Sequence, residues 1–299
     1  MTVLEVIQSA TTYLEKHGVP KPRLNAEHLL AQALGKRRLD LYLEFDRPLS
    51  DAERAPLRKS VRERSEGKPL QYLLGEWDFF GRTFHCDARA LIPRPETEQL
   101  IELTLPHLSN IYQDLKKSKS STDAQPQPLR IADIGTGSGV IAITLAEELA
   151  EKQIPAQITA TDLSEEALSL AKENARLHPN SEKIQFIKTS LFPDQPTSFH
   201  AILANLPYIP TAELAHLQRE LDYEPRQALD GGADGLDFIR PLIEIAAPRL
   251  EPNALLALEF STGQENEIET LCKKSGLAVT HFEKDHQALT RFAIIRKQL

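Results

Sequence analysis

The sequence predicts an α/β protein built on a parallel sheet, with a small all-helical domain ahead of it and an antiparallel strand pair at the sheet edge. Three observations carry this reading. From Leu129 to Phe260, strand-like and helix-like segments alternate, the order that produces a parallel sheet. From Val3 to about Leu74 the apolar residues keep helical spacing only. The last stretch, Leu277–Arg296, holds two strand candidates around a polar loop, which pair antiparallel.

In the N-terminal part, Leu24, His28, Leu29 and Leu30 begin a helical stripe that Ala33 and Leu34 continue toward Gly35, a helix stop. Gly75–Asp87 has an aromatic run, a Gly81-Arg82 turn and a second short strand-like stretch, and reads as a β-hairpin. Pro93-Arg94-Pro95 breaks the chain, and Glu96 and Glu98 then suit the first turn of a helix. The expected division is a helical domain over 1–75, a hairpin linker over 76–92 and an α/β domain over 93–299. Lys116–Pro128, polar and rich in Ser and Pro, reads as a mobile surface loop. Beyond it the strand segments are Leu129–Gly135, Gln157–Asp162, Lys183–Thr189, His200–Asn205 and Ala254–Phe260.

At 299 residues the chain exceeds one domain of roughly 100–200 residues. Its 41% hydrophobic and 26% charged residues are ordinary for a globular protein, and a net charge of −8 gives no overall attraction to a phosphate backbone. Cys86 and Cys272, far apart, form neither a disulfide framework nor a metal cluster, and the nine histidines show no ligand spacing, so no metal is expected. The N-terminus lacks the basic start and apolar run of a signal peptide, and no apolar stretch is long enough to span a bilayer. A cytoplasmic monomer without membrane contact is the expectation.

The chemistry concentrates at strand ends. Asp133-Ile-Gly-Thr-Gly-Ser-Gly139 stands between a strand and a helix, where glycines permit tight turning and close ligand approach. It is not a dinucleotide fingerprint, because Val140 occupies the third glycine position, and no Gly-Lys-Ser/Thr follows to make a phosphate loop. Asp162 ends the next strand, where a carboxylate can accept both ribose hydroxyls; Ser164 can cap the following helix, which leaves Asp162 for a ligand. Asn205-Leu206-Pro207-Tyr208 follows another strand, at the same carboxyl edge.

These three motifs, in this order, resemble the class I S-adenosylmethionine-dependent methyltransferases, whose sheet is doubly wound and seven-stranded. The last motif resembles the Asn-Pro-Pro-Tyr of members that methylate planar nitrogens, with Leu206 in place of a proline. Leucine supplies the same backbone carbonyl without the rigidity. Because ribosomal RNA adenine dimethyltransferases also carry Asn-Leu-Pro-Tyr, the motif alone leaves amide and adenine nitrogens both open. Outside it, Pro22–Gly35, Gly67–Glu98, Tyr223–Arg240 and Glu259–Gln264 resemble the bacterial-type release factor glutamine methyltransferases.

The resemblance implies a protein substrate, a release factor modified on the glutamine of its Gly-Gly-Gln motif, selected by the helical domain, with no stable nucleic acid complex. It implies cofactor contacts at Gly135, Thr136, Gly137, Ser138, Gly139, Asp162, Leu191 and Asn205. Ser190 stands where many class I enzymes have an acidic residue for the adenine amino group. Substrate contacts fall on Asn205, Leu206, Pro207 and Tyr208, with Asn205 and Tyr208 as the catalytic pair: the Asn205 oxygen and the Leu206 carbonyl accept the two amide hydrogens, and Tyr208 stacks on the amide. Two alternatives stay open, an N6-adenine methyltransferase and a cofactor-binding interaction scaffold.

Overall fold

A computed structural model describes residues 1–118, 127–194, 197–217 and 219–298. It divides into two compact units, one of Met1–Trp77, Cys86–Ala88 and Gln218–Glu224, the other of Asp78–His85, Arg89–Leu217 and Pro225–Leu299.

The first unit is helical: α1 (Val3–Lys16), α2 (Pro22–Ala33), a 3-10 turn (Arg38–Leu43), α3 (Asp51–Ser65) and α4 (Leu70–Leu74). Reciprocal capping boxes start α1 (Thr2 with Glu5) and α3 (Ser50 with Glu53), satisfying backbone N–H groups that helix geometry leaves unpaired. Val6, Ile7, Leu14, Leu29, Leu30 and Leu57 lie in the core. The α2 stripe is offset from its expected start, since Leu24 is exposed while Ala26 and Glu27 are buried. Glu27 is kept charged there by Arg23, Arg38 and the Tyr42 hydroxyl, hydrogen bonds that outweigh its burial and hold its pKa down. Buried Arg64 donates to Asn25 Oδ1 (2.7 Å) and to Glu220, which ties part of the distant 218–224 segment into this unit.

The hairpin pairs β1 (Glu76–Phe79) with β2 (Arg82–His85). It turns on Phe80-Gly81 rather than Gly81-Arg82: both residues have positive φ, 51° and 70°, as a two-residue type I′ turn requires, and Arg82 already belongs to β2.

In the second unit, α5 (Pro95–Lys117) precedes β3 (Leu129–Ile134), α6 (Val140–Glu151), β4 (Ala156–Asp162), α7 (Glu165–Ala175), β5 (Gln185–Lys188), β6 (Phe199–Asn205), α8 (Ile239–Ala246), β7 (Leu250–Glu259), α9 (Glu265–Lys274), β8 (Leu277–Lys284) and β9 (Thr290–Lys297). Most of the expected loop Lys116–Pro128 lies outside the described residues. The sheet has seven strands in the order β5-β4-β3-β6-β7-β9-β8, parallel from β5 to β7, with β9 antiparallel to both β7 and β8. It is the doubly wound sheet with an edge hairpin that the sequence predicts.

Strand parity sorts the side chains onto two faces. Ile131, Ala201, Leu203, Leu255 and Ala257 pack with α5 and α6, whereas Ala132, Ile134, Ile202, Leu256 and Leu258 pack with α8 and α9. By the same parity, Asp133, Asn205 and Glu259 belong to the α5–α6 face. Strand order reverses between β3 and β6, and the register pairs Ile134 with Ala204 and with Thr161. Gly135, Asp162 and Asn205 are therefore neighbours at the switch point, where open α/β sheets bind ligands.

Candidate active site

A cavity opens at that edge, walled by the Gly135–Ser138 loop, Asp162, Ser190 and the Asn205-Leu206-Pro207 turn, with Thr97 beside Asn205. Six of the eight predicted cofactor residues, Gly135, Thr136, Gly137, Ser138, Asp162 and Asn205, line it.

The loop is tied to β4 through backbone bonds from Gly135 and Thr136 to the Thr161 carbonyl, 2.9 and 2.8 Å. Gly135 has no room for a side chain: an added Cβ would stand 2.7 Å from Leu206 Cδ2. Gly137 N–H donates to Asp162 Oδ2 and Ser164 N–H to Oδ1, at 2.9 and 2.8 Å. Ser164 Oγ caps α7 by accepting from Ala167 N–H, so Asp162 is free of that task. Each Asp162 oxygen retains a lone pair for the cavity, and burial raises its pKa. Asp133, fully buried, accepts from Thr136 Oγ1 (2.6 Å) and Ala142 N–H (3.1 Å) on Oδ2, while Oδ1 has no partner; burial pushes its pKa up to about 7.

Three predicted residues stand elsewhere. Gly139 is the N-cap of α6 and packs against Ile143 and Ala171. Leu191 is buried among apolar residues, with its carbonyl accepting from Thr161 Oγ1 (2.7 Å), and the neighbouring Ser190 reaches the cavity instead. Tyr208 does not line the cavity; its hydroxyl donates to Glu259 Oε1 at 3.1 Å, and burial with that carboxylate raises its pKa.

Sequence reasoning missed the residues that hold the Asn205 turn. Asn205 Nδ2 donates to Thr97 Oγ1 (2.8 Å), and Thr97 Oγ1 donates to Glu259 Oε2 (2.9 Å). Glu259 is the register partner of Asn205 across β6 and β7. Its burial pushes the carboxyl up to about 7 against the bonds from Thr97 and Tyr208. Gln264 Nε2 donates to the carbonyls of Tyr208 and Asp234, both at 3.2 Å, while its Oε1 accepts from Ser261 N–H (2.9 Å). The Gly231–Gly235 segment thus lies against the backbone of Pro207 and Tyr208. A further miss is Leu163, a cavity-lining apolar residue that is 60% exposed beside Asp162. Glu96 and Glu98 lie in the first turn of α5 as expected, and Glu98 also accepts from Phe80 N–H (2.8 Å). Arg94 lines the cavity as well.

Two family models match the chain, the PrmC N-terminal domain over residues 5–75 and the methyltransferase small domain over 120–232. A release factor glutamine methyltransferase of Geobacter sulfurreducens is 37% identical over 97% of this chain and 95% of its own length. The chain belongs to the release factor glutamine methyltransferase family. A second member, from Chlorobaculum tepidum, is also 37% identical, over 97% of this chain and 95% of its own. Among solved structures, the hMettl16 catalytic domain in complex with an MAT2A 3′UTR hairpin is 15% identical, with TM-score 0.53 over 80% of this chain and 81% of the other. That likeness is one of fold. Among the described residues no helix is long and apolar enough to cross a membrane, and no cluster of His, Cys, Asp and Glu could hold a metal ion.

Proposed function

We propose that the chain transfers the methyl group of S-adenosylmethionine to the side-chain amide nitrogen of the glutamine in a release factor's Gly-Gly-Gln motif. The observation that carries this reading is the orientation of Asn205. With Nδ2 engaged by Thr97, its Oδ1 is the end of the amide left for a ligand, on a wall shared with Leu206 and Pro207.

The residues present fit the cofactor. Asp162, anchored by Gly137 and Ser164, has lone pairs for the two ribose hydroxyls, and Leu163 and Ser190 offer the adenine an apolar face and a hydroxyl. The backbone of the Gly135–Ser138 loop, which lines the cavity, supplies polar contacts for the amino-acid end. Bound there, S-adenosylmethionine supplies an electrophilic methyl on a sulfonium, with S-adenosylhomocysteine as the product.

An amide nitrogen is a poor nucleophile because its lone pair is delocalised, so placement matters more than a strong base. Asn205 Oδ1 and the Leu206 carbonyl accept the two amide hydrogens and aim the nitrogen at the methyl. As the N–C bond forms and the S–C bond breaks, positive charge grows on nitrogen and both hydrogen bonds strengthen, which favours the transition state over the ground state. The surplus proton leaves to water. Tyr208 acts from behind the turn: its bond to Glu259 supports a bracing role in place of the expected stacking.

Selection of the protein substrate falls to the helical unit, whose 3-10 turn presents Leu39 and Leu43, 68% and 87% exposed. A translation-factor substrate implies a cytoplasmic location, where the buried thiols of Cys86 and Cys272, which form no disulfide, stay reduced. Incubation with labelled S-adenosylmethionine and either release factors or nucleic acid tests the reading. Label on the glutamine is expected; label on nucleic acid alone would establish the adenine alternative, since an exocyclic amine offers the same two hydrogens.

A further inference from the structure

Asn205 can work as an acceptor only if its amide keeps one orientation. An asparagine side chain presents an oxygen at one end and an NH2 at the other, and the two ends are nearly the same size. Turned over, Asn205 would point two donors at the two hydrogens of the incoming amide. Something must set which end faces the cavity.

We infer that Thr97 and Glu259 are positioning residues for methyl transfer, a carboxylate-ended hydrogen-bond chain whose direction holds the Asn205 oxygen toward the substrate. The inference rests on the glutamine-methylation reading. The Thr97 hydroxyl has one proton, and Glu259 takes it (2.9 Å). Toward Asn205 that hydroxyl can therefore only accept, so the end facing it at 2.8 Å must be the NH2. A carboxylate accepts and never donates, which makes the direction of the whole chain unambiguous. Tyr208 supplies the second bond to Glu259, so both carboxylate oxygens are satisfied and the carboxylate is fixed in place.

The fold supplies these neighbours without any local sequence pattern. Parallel register sets Glu259 beside Asn205, strand parity turns both to the α5 face, and Thr97 in the first turn of α5 bridges them. Glu259 is fully buried, an expensive place for a charge whose direct hydrogen-bond partners among the described residues are the Thr97 and Tyr208 hydroxyls. The charged groups around it are Arg291 on β9, which favours ionisation and is itself paired with Asp285 (3.3 Å), and Glu96 on α5, which opposes it. With the carboxyl pushed up to about 7, it ionises close to neutral pH. When protonated, Glu259 can donate to Thr97 Oγ1; the Thr97 proton then turns to Asn205, calls for an oxygen there, and reverses the amide. Turnover should therefore rise as pH increases through about 7.

Three variants test this: Thr97→Val, which keeps shape but removes the hydroxyl, Thr97→Ser, which restores it, and Glu259→Gln, which cannot ionise. Cofactor affinity is measured by calorimetry, folding by thermal unfolding, and kcat at saturating cofactor from pH 6 to 9, with a release factor as substrate. Loss of positioning predicts that Thr97→Val lowers kcat on the order of 10- to 100-fold while cofactor Kd stays within about twofold, and that Thr97→Ser recovers most of the rate. In Glu259→Gln the step in kcat near neutrality disappears. Wild-type turnover in Thr97→Val, or a neutral-pH step that persists in Glu259→Gln, overturns the inference, and either variant suffices if the other does not fold. A wild-type chain that methylates no glutamine overturns the functional reading instead, so the two failures are distinct.

Discussion

Gly235 has φ +76°, and a Cβ added to it would overlap the Tyr208 carbonyl oxygen and stand 3.0 Å from the Tyr208 carbonyl carbon and 2.5 Å from Gln264 Nε2. Carbon atoms in ordinary contact sit about 3.5–4.0 Å apart, so in Gly235→Ala the Asn205–Tyr208 turn must retreat by roughly 0.5–1 Å. A misplacement of about 1 Å at a reacting group costs on the order of 100-fold in rate, or about 2.7 kcal/mol of barrier. Stability falls too, by about 1–2 kcal/mol for a left-handed alanine and about 0.5–1.5 kcal/mol for each Gln264 bond that is lost. Gly276→Ala is the control, since Gly276 has φ +71° but nothing within 4 Å of an added Cβ. It should lose about 1–2 kcal/mol and keep its turnover. Steady-state methylation kinetics and urea unfolding on both variants separate strain from misplacement. A folded Gly235→Ala enzyme with the kcat of Gly276→Ala would falsify the claim that this glycine sets the position of the Asn205 turn.

Other outcomes follow from the same geometry. Asn205→Ala should abolish methyl transfer while retaining much of the cofactor affinity, because one acceptor is lost and the Asp162 contacts remain; unchanged turnover refutes its role. Asp162→Ala removes a carboxylate that ties Gly137 and Ser164 and faces the cavity. At about 1.5–3 kcal/mol for each hydrogen bond to a charged group, calorimetry should show cofactor Kd raised on the order of 100-fold or more, and an unchanged Kd would remove Asp162 from the site. Asp133 has a folded pKa of about 7 against an ordinary 3.8. Its stabilising contribution is therefore full below the ordinary value and is lost as pH rises through about 7. Thermal unfolding of the cofactor-free protein should show Asp133→Asn flattening the decline between about pH 4 and 7, and a decline equal to wild type would contradict this.

Much of the fold was legible because each strand of the sheet is short, apolar and followed by a helical segment. The hairpin turn was displaced by one residue because the signal in Phe80-Gly81 is a pair of positive φ values, and a phenylalanine does not advertise one. In the site, the residues named from strand ends converge: Gly135, Gly137, Asp162, Asn205 and Leu206 all meet at the cavity. Leu191 and Tyr208 diverge from it because a position in the chain does not say which way a side chain turns at a strand end. Glu259 left a trace, an acidic residue closing the otherwise apolar Ala254–Phe260 segment. Its partner Thr97 lies 162 residues away, and only the β6–β7 register and the placement of α5 reveal that the two meet.

Methylation of the glutamine is decided by fragment mass spectrometry of a release factor after incubation with S-adenosylmethionine and either the wild-type chain or Asn205→Ala. A single methyl on the side-chain nitrogen of the Gly-Gly-Gln glutamine is expected with the wild type, and none with the variant. A methyl on any other residue, or equal methylation by both proteins, would contradict the proposed reaction.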